Sequence, residues 1–104
     1  MTASPQRGQV YRYDLGYGLK PWLVVSNNAR NRLLGDIIAI RLTTTPRDLP
    51  TWVKLSPADP LTGCANADCI EQLGKDELGE YLGALSPASM RGVNQALAIA
   101  LALT

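Results

Sequence analysis

Short apolar runs separated by glycine, proline and polar residues make up most of the first 85 residues of the chain. Runs of this length, rich in Val, Ile, Tyr and Thr, are typical of β-strands joined by turns and loops. The β-branched stretch 36–45 is predicted to be the central strand, and the polar stretch 27–35 a connection. The pattern predicts strands over 9–15, 22–26, 36–45, 51–55, 64–71 and 80–85, and one turn of helix at 75–78.

The hydrophobic period changes after Leu85. Ser86 and Pro87 form an N-cap followed by proline at the first helical position. Apolar side chains then recur at helical spacing, which predicts one amphipathic helix over residues 87–103. Because its segment NQALAIALAL is apolar on more than one face, this helix suits packing on a sheet and also on a second subunit. Many short strands and a terminal helix indicate a mainly β, α+β fold, a small antiparallel barrel with helical additions.

The length and composition narrow the class of protein. A chain of 104 residues fits one domain, so residues 1–104 are treated as a single unit. No apolar run approaches the roughly 20 residues that span a bilayer, and the start lacks the apolar core of a signal peptide. We therefore expect a cytoplasmic protein without a membrane partner. Two cysteines and no histidine exclude a four-ligand zinc site, so Cys64 and Cys69 are expected to be buried free thiols, and no cofactor is expected.

The small net charge of +1 hides an uneven distribution of charge. Residues 1–55 contain eight Lys and Arg against three Asp, whereas residues 56–104 contain two Lys and Arg against six acids. A basic half of this kind suits a polyanion. On charge alone, however, solvated loops are the favoured explanation.

Lys20 and Pro21 stand immediately before the apolar run WLVVS. Proline has no backbone N–H and a fixed φ, and it restricts the residue before it to extended geometry. Pro21 therefore stiffens the backbone that carries the Lys20 ammonium. One interpretation is a solvated cation at the start of a strand; the other is a cation positioned to meet an anion. The residues by themselves favour the first.

Several segments together resemble the MazF/PemK toxins of type II toxin–antitoxin systems, which are endoribonucleases. They are RGQVYRYDL, KPWLVVSNN, AIRLTTT and TGCANADCIEQL, followed by the closing helix. This resemblance covers Arg7 to Leu103 and implies an SH3-like antiparallel barrel of the MazF/PemK/CcdB type with a C-terminal amphipathic helix. It also implies a homodimer, a small acidic MazE-like antitoxin and a single-stranded RNA substrate. The chain departs from the pattern in carrying Lys20 for an arginine, Gln9 for an aspartate, and Cys69 for the glutamine of an Asp-Gln pair.

RNA carries its own nucleophile, the 2′-OH, so its cleavage needs charge stabilisation and proton transfer rather than a metal. The resemblance implies that Lys20 and Thr43 are the catalytic cation and hydroxyl, and that the products are a 2′,3′-cyclic phosphate and a 5′-OH. Asp68 is the candidate base, with a structural carboxylate as the alternative.

Further residues are candidates for RNA binding. Tyr17, between two glycines, suits stacking on a base, although such a residue also closes a loop. The arginines suit phosphates, and the asparagines suit base edges, with surface charge and turn formation as the alternatives. Trp22 and Trp52 are expected in the core or at a dimer interface. The other predicted RNA contacts are Asn27, Asn28, Arg30, Thr44, Arg47 and Asn66.

Two rival functions remain open on the sequence. The first is a gyrase-binding toxin of the CcdB type, which shares the fold implied by the resemblance but is not a nuclease. The helix here ends in ALALT and lacks the terminal tryptophan of that relative, which weighs against this function. The second is a non-catalytic SH3-like binding module, which leaves the pairing of KPWLVV with LTTT unexplained.

Overall fold

Six strands and two α-helices make up the fold in a computed structural model that describes residues 4–103. Every strand pairing is antiparallel, and the strands lie in the order β4-β5-β3-β2-β1-β6. A short 3₁₀ helix at Lys75–Glu77 connects β5 to β6. The elements are β1 (Gln9–Asp14), β2 (Leu19–Val24), α1 (Asn28–Leu33), β3 (Asp36–Thr43), β4 (Trp52–Lys54), β5 (Cys64–Gly74), β6 (Tyr81–Ala84) and α2 (Pro87–Leu101).

The strands form one curled sheet, a half-barrel whose end strands are β4 and β6, closed over by the C-terminal helix α2. This confirms the predicted small antiparallel barrel with an amphipathic C-terminal helix. Among the helices within residues 4–103, none has the length and apolar character needed to cross a bilayer.

Strand β2 has buried side chains on both faces of the sheet, since neighbouring residues on a strand point to opposite sides. Leu23 and Ile40 point to the face covered by α2, where they meet Val93 of the helix. Trp22, only 1% exposed, points to the other face and packs with Tyr13 and four further buried apolar side chains. The β2 strand therefore lies between two cores, which holds its position firmly.

The three largest differences from the predicted element bounds are at α1, at the start of β2 and at the end of β5. Residues 28–33 form the short helix α1 rather than a connection, because Asn27 Oδ1 accepts hydrogen bonds from Ala29 N (2.8 Å) and Arg30 N (3.4 Å) and so caps the first turn. Strand β2 begins at Leu19 rather than Trp22, because β1 already pairs with that end of the strand. Strand β5 extends to Gly74, because it pairs with the whole of β3.

Both cysteines lie on β5 and are free thiols, as predicted. Cys64 is buried, whereas Cys69 is only partly buried, so the expected burial holds for the first alone. A register shift in β5 opposite the Ile40–Arg41 step interrupts the regular alternation of side chains between them.

The start of α2 is fixed by one carboxylate and a set of serines. Asp59 accepts hydrogen bonds from Ser86 N (2.8 Å), Ser89 Oγ (2.6 Å) and Ser56 N (2.7 Å). Partial burial raises the pKa of the Asp59 carboxyl, but these hydrogen bonds outweigh burial and lower the pKa from 3.8 to about 2. Asp59 thus joins the 55–63 loop to the helix that covers the core.

We expect Asp59→Asn to lower the free energy of unfolding by about 2 kcal/mol at neutral pH, since hydrogen bonds to a charged acceptor are lost. Because the folded-state pKa lies below the unfolded one, this contribution is present above pH 3.8 and disappears as the pH falls toward 2. Urea unfolding at pH 7 and at pH 2.5 measures both effects. Asp76→Asn, at an exposed carboxylate, is the control; equal losses from the two variants at pH 7 would contradict this role of Asp59.

Candidate active site

The pairing register of β2 and β3 places Lys20 opposite Thr43. Trp22 pairs with Arg41, and Leu23 with Ile40, in an antiparallel ladder. Continuing this register by two residues sets Lys20 across from Thr43, with both side chains on the face to which Arg41 also belongs. The backbone ladder ends at Trp22 and Arg41, so Lys20 and Thr43 lie two residues beyond its last pair.

Pro21 explains why the pairing stops there. Val25 N donates to Ile38 O at 2.9 Å, so the odd-numbered residues of β2 direct their N–H groups toward β3. The next donor in this series would be the N–H of residue 21, aimed at the carbonyl of Leu42, and proline has none. The Leu42 carbonyl instead accepts a hydrogen bond from Nε of Arg41 at 3.1 Å. A missing donor on β2 is thus replaced by a side chain of β3.

A cavity of about 320 Å³ lies beyond the end of this ladder and is lined by residues of both strands. Its lining contains three cations, three threonines and no carboxylate, which suits an anion such as a phosphate. Within residues 4–103, neither Lys20 nor Arg41 takes part in an ion pair, whereas Arg12 forms an exposed one with Glu80 at 3.4 Å. The cations are Arg12, Lys20 and Arg41, and the threonines are Thr43, Thr44 and Thr62.

The hydroxyl of Thr43 is oriented by the turn that follows β3. Its Oγ1 accepts a hydrogen bond from Thr45 N at 3.2 Å, so the hydroxyl proton remains available for donation into the cavity. Gly63 holds the turn from the other side, with φ +120° and a Cα so close to Thr43 that an added Cβ would clash with the Thr43 carbonyl oxygen. Only glycine fits at this position.

Lys20 lies beside a loop that is held by Asp14. The Oδ1 atom of Asp14 accepts hydrogen bonds from Gly16 N at 2.7 Å and Gly18 N at 3.0 Å, and these bonds lower the pKa of its carboxyl. A Cβ built on Gly18 would lie 4.0 Å from Cε of Lys20, so the ordered loop runs next to the lysine stem. The same loop presents Tyr17, with 57% of its surface exposed.

Residues 6–101 match the family described as PemK-like, MazF-like toxin of type II toxin–antitoxin system. The chain belongs to this family. It is 67% identical over 100 residues to Endoribonuclease MazF1 of Mycobacterium bovis, covering 96% of this chain and 95% of that protein. Endoribonuclease MazF4 of Mycobacterium tuberculosis matches to the same extent. The predictions of a MazF/PemK toxin and of the endoribonuclease class are confirmed at the level of this family.

Solved structures agree with this assignment. A mycobacterial endoribonuclease in complex with its cognate antitoxin superposes with a TM-score of 0.96 at 66% identity, covering 97% of this chain and 98% of that chain. A MazE–MazF structure from Deinococcus radiodurans gives a TM-score of 0.83 at 24% identity, covering 96% and 97%. The second likeness concerns the fold alone, and it matches the curled antiparallel sheet with its terminal helix.

Asp68, the predicted base of the toxin, does not line the cavity. It is exposed on β5, where its Oδ2 accepts a hydrogen bond from Thr51 Oγ1 at 2.6 Å. Asn66 pairs with Arg41 across the sheet, and its Oδ1 accepts a hydrogen bond from Asp68 N at 2.9 Å. Both residues thus lie at the β5 bulge next to Arg41, one strand away from Thr43. Their roles in catalysis and RNA binding stay predictions.

Three predicted RNA contacts of the toxin lie at the far end of β2, away from the cavity. Asn27 caps α1, and Asn28 Oδ1 accepts a hydrogen bond from Arg7 N at 2.7 Å. Arg30 lies in α1, not in the predicted connection, and it pairs with Asp36 at 2.7 Å. These side chains hold the α1 region together and do not line this cavity. Their contact with RNA stays a prediction.

Thr44 and Arg47 lie closer to the proposed site. Thr44 lines the cavity described above and also a neighbouring cavity of about 1020 Å³. Arg47 lines this second cavity, with its guanidinium carbon 5.8 Å from the ring centre of Trp52, a cation–π contact. A second cavity therefore lies beside the one lined by Lys20 and Thr43, with room for a further part of a long ligand.

Sequence reasoning missed three polar lining residues, Arg12, Arg41 and Thr62. A signal for one of them was present, because Arg41 stands two residues before Thr43 on one strand and so shares its face. The other two depend on how β1 and the 55–63 loop approach the cavity, which no local pattern encodes. Within residues 4–103, no group of three or more acidic, cysteine or histidine side chains is placed to hold a metal ion.

We expect Gly63→Ala to lower the rate of RNA cleavage by the toxin at least tenfold, roughly the effect of moving a hydrogen-bond donor away from the transition state. The added Cβ would push the Thr43 carbonyl and move the Thr43 hydroxyl out of the cavity. Gly35→Ala is the matched control, since a Cβ there meets nothing within 4 Å. Single-turnover cleavage of a single-stranded RNA measures the effect, with the melting temperature as a check on folding. Full activity in a folded Gly63→Ala protein would contradict this positioning of Thr43.

Proposed function

We propose that this toxin is a sequence-specific endoribonuclease that cuts single-stranded RNA at the cavity between β2 and β3, and so inhibits translation and growth. The observation that carries the proposal is the convergence of Lys20 and Thr43 on one cavity whose lining holds cations and hydroxyls but no carboxylate. The endoribonuclease name of relatives that are 67% identical over 96% of the chain supports it.

The proposed reaction uses the nucleophile that RNA itself supplies. The 2′-oxygen attacks the adjacent phosphorus, the bond from phosphorus to the 5′-oxygen breaks, and the products are a 2′,3′-cyclic phosphate and a 5′-OH. Negative charge grows on the non-bridging oxygens during the attack, and the Lys20 ammonium and the Thr43 hydroxyl stabilise it. Lys20 is also our candidate for the acid that gives a proton to the departing 5′-oxygen. No step of this scheme requires a metal ion.

The proton of the 2′-OH must pass to a base, and we keep Asp68 in this role. One of its oxygens holds the Thr51 hydroxyl, which leaves Oδ1 for a proton. Asp68 lies in the β5 bulge opposite the Ile40–Arg41 step, so the 2′-OH next to the scissile phosphate must lie over Arg41 for Asp68 to take its proton.

The proposed path of the RNA runs from Tyr17 across the cavity toward Arg47. Tyr17 is exposed next to Lys20 and can stack on a base, an interaction worth about 1–3 kcal/mol. Thr44 connects the anion-binding cavity with the larger one that Arg47 lines. Nucleotides that flank the cleaved bond would bind in this second cavity. Asn66 pairs with Trp52, which lines this cavity, and could contact one of these nucleotides.

The proposed partners are an acidic antitoxin and a second copy of the chain, and we place the toxin in the cytoplasm. A relative of 66% identity is described with its cognate antitoxin, and an acidic, disordered antitoxin segment would compete with RNA for the same cations. The homodimer fits the exposed apolar end of α2, where Ile99, Leu101 and Leu103 are 52%, 51% and 69% exposed. A purified chain that sediments as a monomer at micromolar concentration would contradict the dimer.

We expect Lys20→Ala and Thr43→Ala each to lower kcat by about 10²–10³, the usual effect of losing one donor to a developing oxyanion. The parent protein should cut single-stranded RNA in excess EDTA and leave 5′-OH ends, which sequencing of the cut ends maps. Thr45→Ala is the control, since Thr45 contributes its backbone N–H rather than its hydroxyl. RNA that stays intact with the parent in EDTA, or that is cut normally by Lys20→Ala, would refute the proposal.

Asp68→Asn belongs to the same set of measurements and tests the base separately. A true general base contributes about 10²–10⁴ to the rate, so this variant should cut far more slowly at neutral pH and recover part of the lost rate as the pH rises, because hydroxide then removes the 2′-OH proton. Thr51→Ala, which removes only the hydroxyl bound to Asp68, should keep most of the activity. A loss of less than threefold in Asp68→Asn would remove Asp68 from the mechanism and leave Lys20 and Thr43 unaffected.

A further inference from the structure

We propose that Arg41 is a further catalytic residue of this toxin and that its guanidinium binds the scissile phosphate beside Lys20. The inference rests on the proposed function, because the phosphate is that of the RNA substrate. It starts from the departure at Lys20, where the family resemblance leads one to expect an arginine. An ammonium is a point charge, and it cannot grip two phosphate oxygens with the planar, two-pronged geometry of a guanidinium.

Arg41 is on the correct face and lines the same cavity. It pairs with Trp22 on β2 and stands two residues before Thr43 on β3, so its side chain points to the side of the sheet shared by Thr43 and, by register, Lys20. The cavity of about 320 Å³ is lined by all three residues. The cation is therefore next to the two groups that the mechanism already uses.

The Arg41 side chain is also held in a fixed orientation. Its Nε donates to the Leu42 carbonyl at 3.1 Å, the acceptor that Pro21 leaves without a backbone donor. Within residues 4–103, the two terminal nitrogens of the guanidinium have no carboxylate partner. One edge of the guanidinium is thus anchored while the remaining N–H groups stay free for an anion, which is the preorganisation that transition-state stabilisation requires.

The other cations near the cavity do not match this arrangement. Arg12 also lines it, but it forms an ion pair with Glu80 and is 39% exposed, so its charge is shared and screened. Arg47 lies in the neighbouring cavity over Trp52. Of the arginines that line this cavity in the described part of the chain, Arg41 is the one with an anchored Nε and terminal nitrogens that have no carboxylate partner.

The kinetic test compares Arg41→Ala and Arg41→Lys with the control Arg32→Ala, which removes an exposed cation on α1. We expect Arg41→Ala to lower kcat/KM by about 10² and Arg41→Lys, which keeps the charge but loses the two-pronged geometry, by about tenfold. Arg32→Ala should match the parent. Cleavage by Arg41→Ala within about threefold of the parent, beside an inactive Lys20→Ala, would overturn the inference and leave the proposed function standing.

A binding test separates phosphate contact from a merely structural effect. The probe is a single-stranded RNA with a 2′-deoxy sugar at the cleavage position, which binds but is not cut. In Arg41→Ala, the loss of one phosphate contact should make the slope of log binding constant against log salt concentration shallower by about 0.7. The slopes of Arg41→Lys and Arg32→Ala should equal that of the parent. An unchanged slope in Arg41→Ala would overturn the inference. If the parent itself does not cut RNA, the proposed function fails, and the slope still decides whether Arg41 contacts phosphate.

The role of Pro21 gives an independent measurement. Pro21→Ala restores a backbone N–H aimed at the Leu42 carbonyl, which would compete with Nε of Arg41 and extend the β2–β3 ladder into the cavity. We expect the Arg41 Nε–H signal in NMR spectra to exchange more slowly with water in the parent than in Pro21→Ala, and kcat/KM to fall in the variant. Identical exchange in the two proteins would contradict the anchoring of Arg41.

Discussion

The site depends on one hydrogen bond that the backbone cannot make. Where β2 would donate its next N–H to the Leu42 carbonyl it carries Pro21, so the ladder to β3 ends there. The register up to that point still places Lys20 and Thr43 on the same face of the sheet. The cavity lies at this interruption and is lined by side chains of both strands.

The surroundings of the cavity are rigid, and this matters for charge stabilisation. β2 is packed on both faces, through Leu23 toward α2 and through Trp22 toward the opposite core. Asp14 accepts hydrogen bonds from the loop beside Lys20, and Gly63 packs closely against the turn that carries Thr43. Donors that are fixed before the reaction need not reorganise as negative charge develops, and such fixed donors are often the largest contribution to rate. The fold supplies this rigidity without contributing a carboxylate to the cavity lining.

The hydrophobic pattern was sufficient to predict most strands and the C-terminal helix, because period 2 and period 3.6 are properties of local sequence. Lys20 and Thr43 were found through the family resemblance, and their shared cavity follows from the β2–β3 register. The helix α1 was missed although its signal, the capping Asn27, was present. The position of Asp68 was beyond local reasoning, since a bulge in β5 determines which residues face Arg41. Arg41 was overlooked although its signal, a position two residues before Thr43 on the same strand, was present.

The most direct test is a crystal structure of the toxin with a single-stranded RNA that has a 2′-deoxy sugar at the mapped cleavage position. We expect Nζ of Lys20 and Oγ1 of Thr43 each to lie within hydrogen-bond distance, about 2.7–3.2 Å, of oxygens of the phosphate that would be cut. A scissile phosphate bound outside the gap between β2 and β3, or two side chains holding different phosphates, would contradict the central claim.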